Sequence, residues 1–157
     1  MYLNIELTKD GELLRQYYQL REKSFRAKLG ISNFDGGETP LDRSSKIMIA
    51  RIGNHCIGGI RICGVHPNVK TPRDYGSGLN DRHLSNITLQ RLGYCQWMRC
   101  AICPEVGMLS MHIQNQFILA TVLFSAALGY RYGFCASSRV HHRFYKRILS
   151  KHGYDYC

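Results

Sequence analysis

The sequence predicts an α/β (α+β) domain, a mixed sheet covered by helices, and three observations point to it. Short runs alternating at period two recur along the chain, and three longer runs carry apolar residues at helical spacing. Their order is strand, helix, three strands, helix, strand, helix. With 157 residues, 45% of them hydrophobic, the chain can fill one core but not two, so residues 1–157 read as a single domain.

The opening "YLNIEL" alternates as a short strand, and "KDGELLRQYYQLREKSFRAKL" follows as an amphipathic helix that stops at Gly30. Leu14, Tyr18, Arg21, Phe25 and Leu29 fall on one stripe of that helix. Arg21 is the exception in it. A guanidinium is always charged and costs several kcal/mol to bury alone, so it requires a partner. The loop "GISNFDGGETPLDRSS" supplies Asp35, Glu38 and Asp42, any of which can return to Arg21 as a bidentate pair. Such a pair is either purely structural or fixes the loop over a substrate.

"KIMIARIG" and "HCIGGIRICGV" are joined by a tight "GN" turn and read as a hairpin. The polar "HPNVKTPRDYGSGLNDRHLSNITLQRLG" is a long excursion with one helical turn. "YCQWMRCAIC" is the next strand, and "PEVGMLS" turns the chain into "MHIQNQFILATVLFSAAL", a helix apolar nearly all round and hence buried. "YRYGFCASS" is a strand and "RVHHRFYKRILSKHG" the last helix.

The net charge of +10 favours an acidic partner: nucleic acid, an anionic membrane surface, a phosphorylated cofactor or an acidic protein. Much of it gathers in the last helix, at Arg139, Arg143, Lys146, Arg147 and Lys151. No apolar run reaches the ~18 residues that cross a bilayer, and "MYLNIELTKDG" lacks a basic start and a hydrophobic signal segment. Seven scattered cysteines suit a reducing compartment, so a cytoplasmic protein without a membrane span is expected. Cys100 and Cys103 have CxxC spacing, but on a strand they point to opposite faces, and no second pair completes a tetrahedral site; no metal is expected. The adjacent His141 and His142 diverge and read as surface residues.

The element order, together with "LREKSF", "LDRSSKIMIA", "IGGIRI" and "WMRCAI", resembles the GNAT acyltransferase superfamily, in particular its branch of acyl-homoserine-lactone (autoinducer) synthases and long-chain N-acyl amino acid synthases. The resemblance covers nearly the whole chain. It implies a mixed, mostly antiparallel central sheet with helices on both faces. Arg21 and Phe25 match the branch's first-helix arginine and phenylalanine, Asp42 the acid before the second strand, and Arg61 and Arg99 the arginines of the third and fourth strands.

Departures from the superfamily narrow the choice. Acetyltransferases carry a Q/R-x-x-G-x-G/A turn whose backbone N–H groups hold the coenzyme A pyrophosphate, where this chain has "PEVGMLS". The acyl-carrier-using branch also lacks a full version of that turn. Leu149 stands where acetyltransferases often have a thiolate-protonating tyrosine, with Tyr145 one turn earlier. Gln96 replaces the glutamate usual in lactone synthases. Because the chain ends at Cys157, before the family's final strands, it reads as a short version, a fragment, or a sheet whose edge another subunit completes in a homo-oligomer.

The resemblance implies transfer of a fatty acyl group from an acyl-phosphopantetheine thioester, on acyl carrier protein or coenzyme A, to the amine of an amino acid or derivative. An α-amine of pKa about 7.7 to 8 needs little help to deprotonate, so a carboxylate suffices, Glu38 first and Asp42 second. Arg21 and Phe25 would border the acceptor pocket. Arg61 and Arg99 either snorkel from strand edges or bind an acceptor carboxylate. Trp97 shares a face with Arg99 at period two and is either a pocket wall or core. Backbone N–H groups from Ala101 to Cys103 would polarise the thioester carbonyl. Phe117, Leu119, Val122, Leu123 and Phe124 line an acyl channel or are plain core. Arg143, Lys146 and Arg147 would dock an acidic carrier protein.

Four other readings stand beside this one. They are a lactone synthase, which also needs S-adenosylmethionine; an acetyl-coenzyme A-dependent N-acetyltransferase; a nucleic-acid-binding protein; and a non-catalytic relic of the fold. Nucleic acid needs stacking aromatics along a basic groove, and Tyr130, Tyr132, Phe144 and Tyr145 offer these only loosely.

Overall fold

The computed structural model describes residues 2–65, 93–106, 109–135 and 139–156. The excursion read between residues 66 and 93 lies almost wholly outside them. Strand β1 is Leu3–Thr8, helix α1 Gly11–Leu29, helix α2 Pro40–Ser44, β2 Lys46–Ile52, β3 His55–Val65, β4 Tyr94–Ile102, α3 Leu109–Ala127, β5 Tyr132–Phe134 and α4 Arg139–Lys151, with a 3-10 turn at Pro104–Val106. The sheet runs in chain order, β1 through β5. Neighbours among the first four strands are antiparallel, whereas β5 lies parallel to β4 and pairs with it only from Tyr94 to Gln96. β5 ends at Phe134, the partner of Gln96, so the described pairing on that side of β4 stops there.

Helix α1 begins where the Asp10 carboxylate accepts the Leu13 N–H and ends at Gly30, whose φ of 66° is left-handed and favours glycine. The expected stripe is turned by about one position. Tyr17, Arg21 and Ser24 are its buried members, and the central one, Tyr17, went unread in the sequence. Helix α2 was read as loop. It is a capping box: the Thr39 hydroxyl accepts the Asp42 N–H, the Asp42 carboxylate accepts the Thr39 N–H, and Pro40 opens the helix.

Strand alternation divides the core in two. Ile47 and Ile49 of β2 turn to α1 with Tyr17 and Ala101. Met48 and Ala50 turn the other way and pack with Ile60, Ile62, Cys95, Ile113 and Phe117 against α3. Helix α4 leans on α3 through Ile118, Ile148 and Leu149. Among the described residues no helix is long and apolar enough to cross a membrane, and no group of three metal-ligating side chains gathers.

Candidate active site

Arg21 finds its partner in Asp42. The guanidinium Nη1 and Nη2 donate to the two carboxylate oxygens at 3.0 and 3.1 Å, and the remaining donors reach the Gly36 carbonyl, at 3.0 Å from Nε and 2.7 Å from Nη2, and the Gly37 carbonyl at 2.5 Å. Arg61, on β3, donates Nη1 to the same carboxylate at 3.2 Å. All three side chains are buried, and Thr39 completes the set, donating both N–H and hydroxyl to Asp42 at 2.8 Å. Burial opposes ionisation of Asp42, but the hydrogen bonds from Arg21 and Thr39 outweigh it and hold the carboxyl down to about 2.

This geometry corrects three expectations. Asp42 is too acidic and too enclosed to serve as a general base. Arg21 and Arg61 are just as enclosed, so neither borders a pocket; they act on the loop. By gripping the Gly36 and Gly37 carbonyls, Arg21 fixes the segment that carries Phe34 on one side and Glu38 on the other. Gly36 lies so close to α1 that a methyl group there would collide with Glu22 and the Tyr18 carbonyl.

Phe34, unremarked in the sequence, stacks on Phe25 with ring centroids 4.7 Å apart. The Arg99 guanidinium lies over that pair, 4.9 Å from the Phe34 centroid and 5.7 Å from that of Phe25. Arg99 reaches this position because β4 is bulged. Arg61 pairs with Met98 while Gly59 pairs with Ala101, which leaves one extra residue on β4, and Arg99 has a φ of 56°, rare for a non-glycine residue. The bulge also resets the face alternation. Trp97 was expected beside Arg99. Instead it packs with the α3-side core and donates Nε1–H to Ser125 at 2.9 Å, while Arg99 lies on the α1 side. Trp97 is therefore partly buried against the α3-side core, on the face opposite Arg99.

Of the backbone N–H groups expected from Ala101 to Cys103, two face β3. Cys103 donates its N–H to the Ile57 carbonyl at 2.8 Å, so it faces β3. Alternation along the strand turns Ala101, the partner of Gly59, the same way. The N–H groups of Cys100 and Ile102 then point away from β3, to the side of β4 on which β5 pairs farther back along the strand.

Glu38 is partly exposed and pairs with Arg43 at 2.8 Å. It borders an open cleft of about 450 Å³ on the outer side of α1 with Leu14, Tyr18, Glu22 and Asp35. No contact of the described residues brings it to Arg99. Arg143, Lys146 and Arg147 are exposed together on α4. Of the channel residues, Phe117 is buried under the sheet, Phe124 packs beside that core, Leu119 and Val122 pack toward α4, and Leu123 is exposed, so the five do not line one passage. Leu149 is buried core. Tyr145 stands near Cys100 and Cys135, and burial raises its pKa, which keeps the phenol protonated at neutral pH.

No protein-family model matches the sequence, and no curated protein matches it. Solved structures do share its fold. The AHL synthase LasI superposes with a TM-score of 0.70 at 14% identity, over 98% of this chain and 79% of that one. An aminoglycoside acetyltransferase, meta-AAC0020 from an uncultured soil metagenomic sample, gives 0.62 at 15% identity over 94% and 87%. The ribosomal-protein-alanine N-acetyltransferase of Brucella melitensis biovar Abortus 2308 gives 0.56 at 13% identity over 96% and 89%. At such identities the likeness is one of fold, and the fold of this chain is that of the GNAT acyltransferases.

Proposed function

We propose that the protein is an N-acyltransferase that moves a fatty acyl group from an acyl-phosphopantetheine thioester, carried by acyl carrier protein or coenzyme A, to the amine of an amino acid or derivative. The observation that carries this reading is Arg99, held over the Phe25–Phe34 stack by a strained bulge in β4. Backbone strain of this kind persists only where its surroundings impose it, and it clusters at functional sites.

In this reading the thioester lies along β4 beyond Gln96, on its β5 side, its carbonyl accepting the N–H groups of Cys100 and Ile102. Arg99 binds the acceptor carboxylate and presents the amine across β4. The neutral amine nitrogen attacks the carbonyl carbon, the oxygen gathers negative charge against the backbone donors, and the C–S bond breaks. The departing thiolate takes a proton from Tyr145, which regains one from solvent. The amine loses its proton to solvent, with Glu38 as a loop carboxylate outside the Arg21 clamp. The basic face of α4 docks an acidic carrier.

Mass spectrometry of reaction products tests the proposal. Purified protein is given acyl carrier protein loaded with chains of several lengths, long-chain and acetyl-coenzyme A, a mixture of amino acids, and S-adenosylmethionine. An N-acyl amino acid that is lost in Arg99→Ala is the expected result. An acyl-homoserine lactone would make the protein an autoinducer synthase, consistent with its likeness to LasI. Acetylation alone, or no product from any donor, would overturn the proposal.

A further inference from the structure

We infer that Tyr17 is a positioning residue for acyl transfer: through its hydroxyl it sets the peptide plane between Arg99 and Cys100, and so aims the Cys100 N–H at the thioester carbonyl. The inference rests on the acyl-transfer reading and adds to it a residue that lies outside the site.

Tyr17 is wholly buried on α1. Its hydroxyl donates to the Arg99 carbonyl at 2.7 Å. The ring reaches that carbonyl by lying flat over Gly59 of β3, where a methyl group would collide with it. Glycine at position 59 and tyrosine at position 17 are thus two halves of one strut between α1 and the bulge. Apolar packing alone would not require the hydroxyl, because Ile47, Ile49 and Ala101 already surround the ring with hydrocarbon.

The consequence follows from peptide geometry. A trans peptide is planar, with its C=O and N–H antiparallel, and the chain has no cis peptide bond among its described residues. With the Arg99 carbonyl held toward α1, the Cys100 N–H must point away from α1. Alternation at Cys103, whose N–H faces β3, turns the Cys100 N–H away from β3 as well. The remaining direction is the β5 side of β4, beyond the last paired residue Gln96. At the positive φ of Arg99 the backbone would otherwise relax, and the strut opposes that relaxation. Burial raises the Tyr17 pKa, so the phenol stays a donor throughout the neutral range.

Tyr17→Phe removes the hydroxyl and leaves the ring on Gly59. With the acyl thioester and amino acid that the wild type uses, kcat is expected to fall about 10- to 100-fold, below the loss for deleting an oxyanion donor outright, with both KM values within about 3-fold. Ile49→Val, in the same cluster, controls for stability: it lowers the unfolding midpoint without moving kcat. Incorporating 4-aminophenylalanine at position 17 restores an N–H donor at the same place and is expected to recover most of the rate. A wild-type kcat in Tyr17→Phe, or a loss that only tracks the unfolded fraction and is not rescued, overturns the inference while acyl transfer stands. A wild type inert toward every thioester overturns the transfer reading first, and this role with it.

Discussion

The two faces of the sheet hold their helices by different means. Against α3, Met48, Ala50, Ile60, Ile62, Cys95 and Phe117 form a hydrocarbon layer in which Trp97 donates to Ser125. On the α1 face, the largest fully buried side chains include Arg21 and Arg61, closed around Asp42. Hydrocarbon packs to similar effect in many arrangements, whereas a buried carboxylate with two guanidinium groups has one geometry that satisfies them all. The α3 face supplies adhesion. The α1 face supplies position, and it is there that Phe34, Phe25 and Arg99 are placed.

Several experiments sharpen that contrast. The largest effect is expected from Asp42→Asn, which leaves two buried guanidinium groups without a counter-charge and costs about 3–5 kcal/mol in urea unfolding. Phe117→Ala on the opposite face should cost a similar amount, about 3–5 kcal/mol, through its cavity. Acid separates the two. The Asp42 carboxyl lies at about 2 when folded against an ordinary 3.8, so its stabilisation is complete above about pH 4 and disappears as pH falls through 2. That contribution is about 2 kcal/mol, and it should persist in Phe117→Ala and vanish in Asp42→Asn. Parallel acid profiles for all three proteins would break the comparison.

Smaller effects follow. Trp97→Phe keeps the packing against α3 but loses the bond to Ser125, for a cost near 1 kcal/mol in the same unfolding assay. Arg43→Ala breaks only the exposed pair with Glu38 and should leave the unfolding midpoint where it was.

Much of this was legible in the sequence, because period-two and helical patterns fix the elements and their order. Arg21 announced itself as a charge on an apolar stripe, and Asp42 was among the acids able to answer it. What the sequence hid was register. A one-residue bulge moves Arg99 to the α1 face and leaves Trp97 on the other, and a period-two reading cannot anticipate it. Within the expected run Ala101 to Cys103, it is Ile102 whose N–H faces away from β3, as does that of Cys100 before it. Tyr17 was hidden for a different reason. Its meaning lies in a contact with Arg99 far along the chain, and the only local hint was the Gly58–Gly59 pair inside a strand. The Thr39–Asp42 capping box, with Pro40 between, was a readable signal that passed as loop.

The most direct test of this account measures the acceptor KM of the wild type and of Arg99→Ala, using one amino acid and its decarboxylated amine. If Arg99 holds the acceptor carboxylate, the variant raises KM for the amino acid about 10-fold or more, the value of a charge-assisted bond, and leaves the amine's KM unchanged. Equal losses for both substrates would contradict it and return Arg99 to a structural role on the aromatic pair.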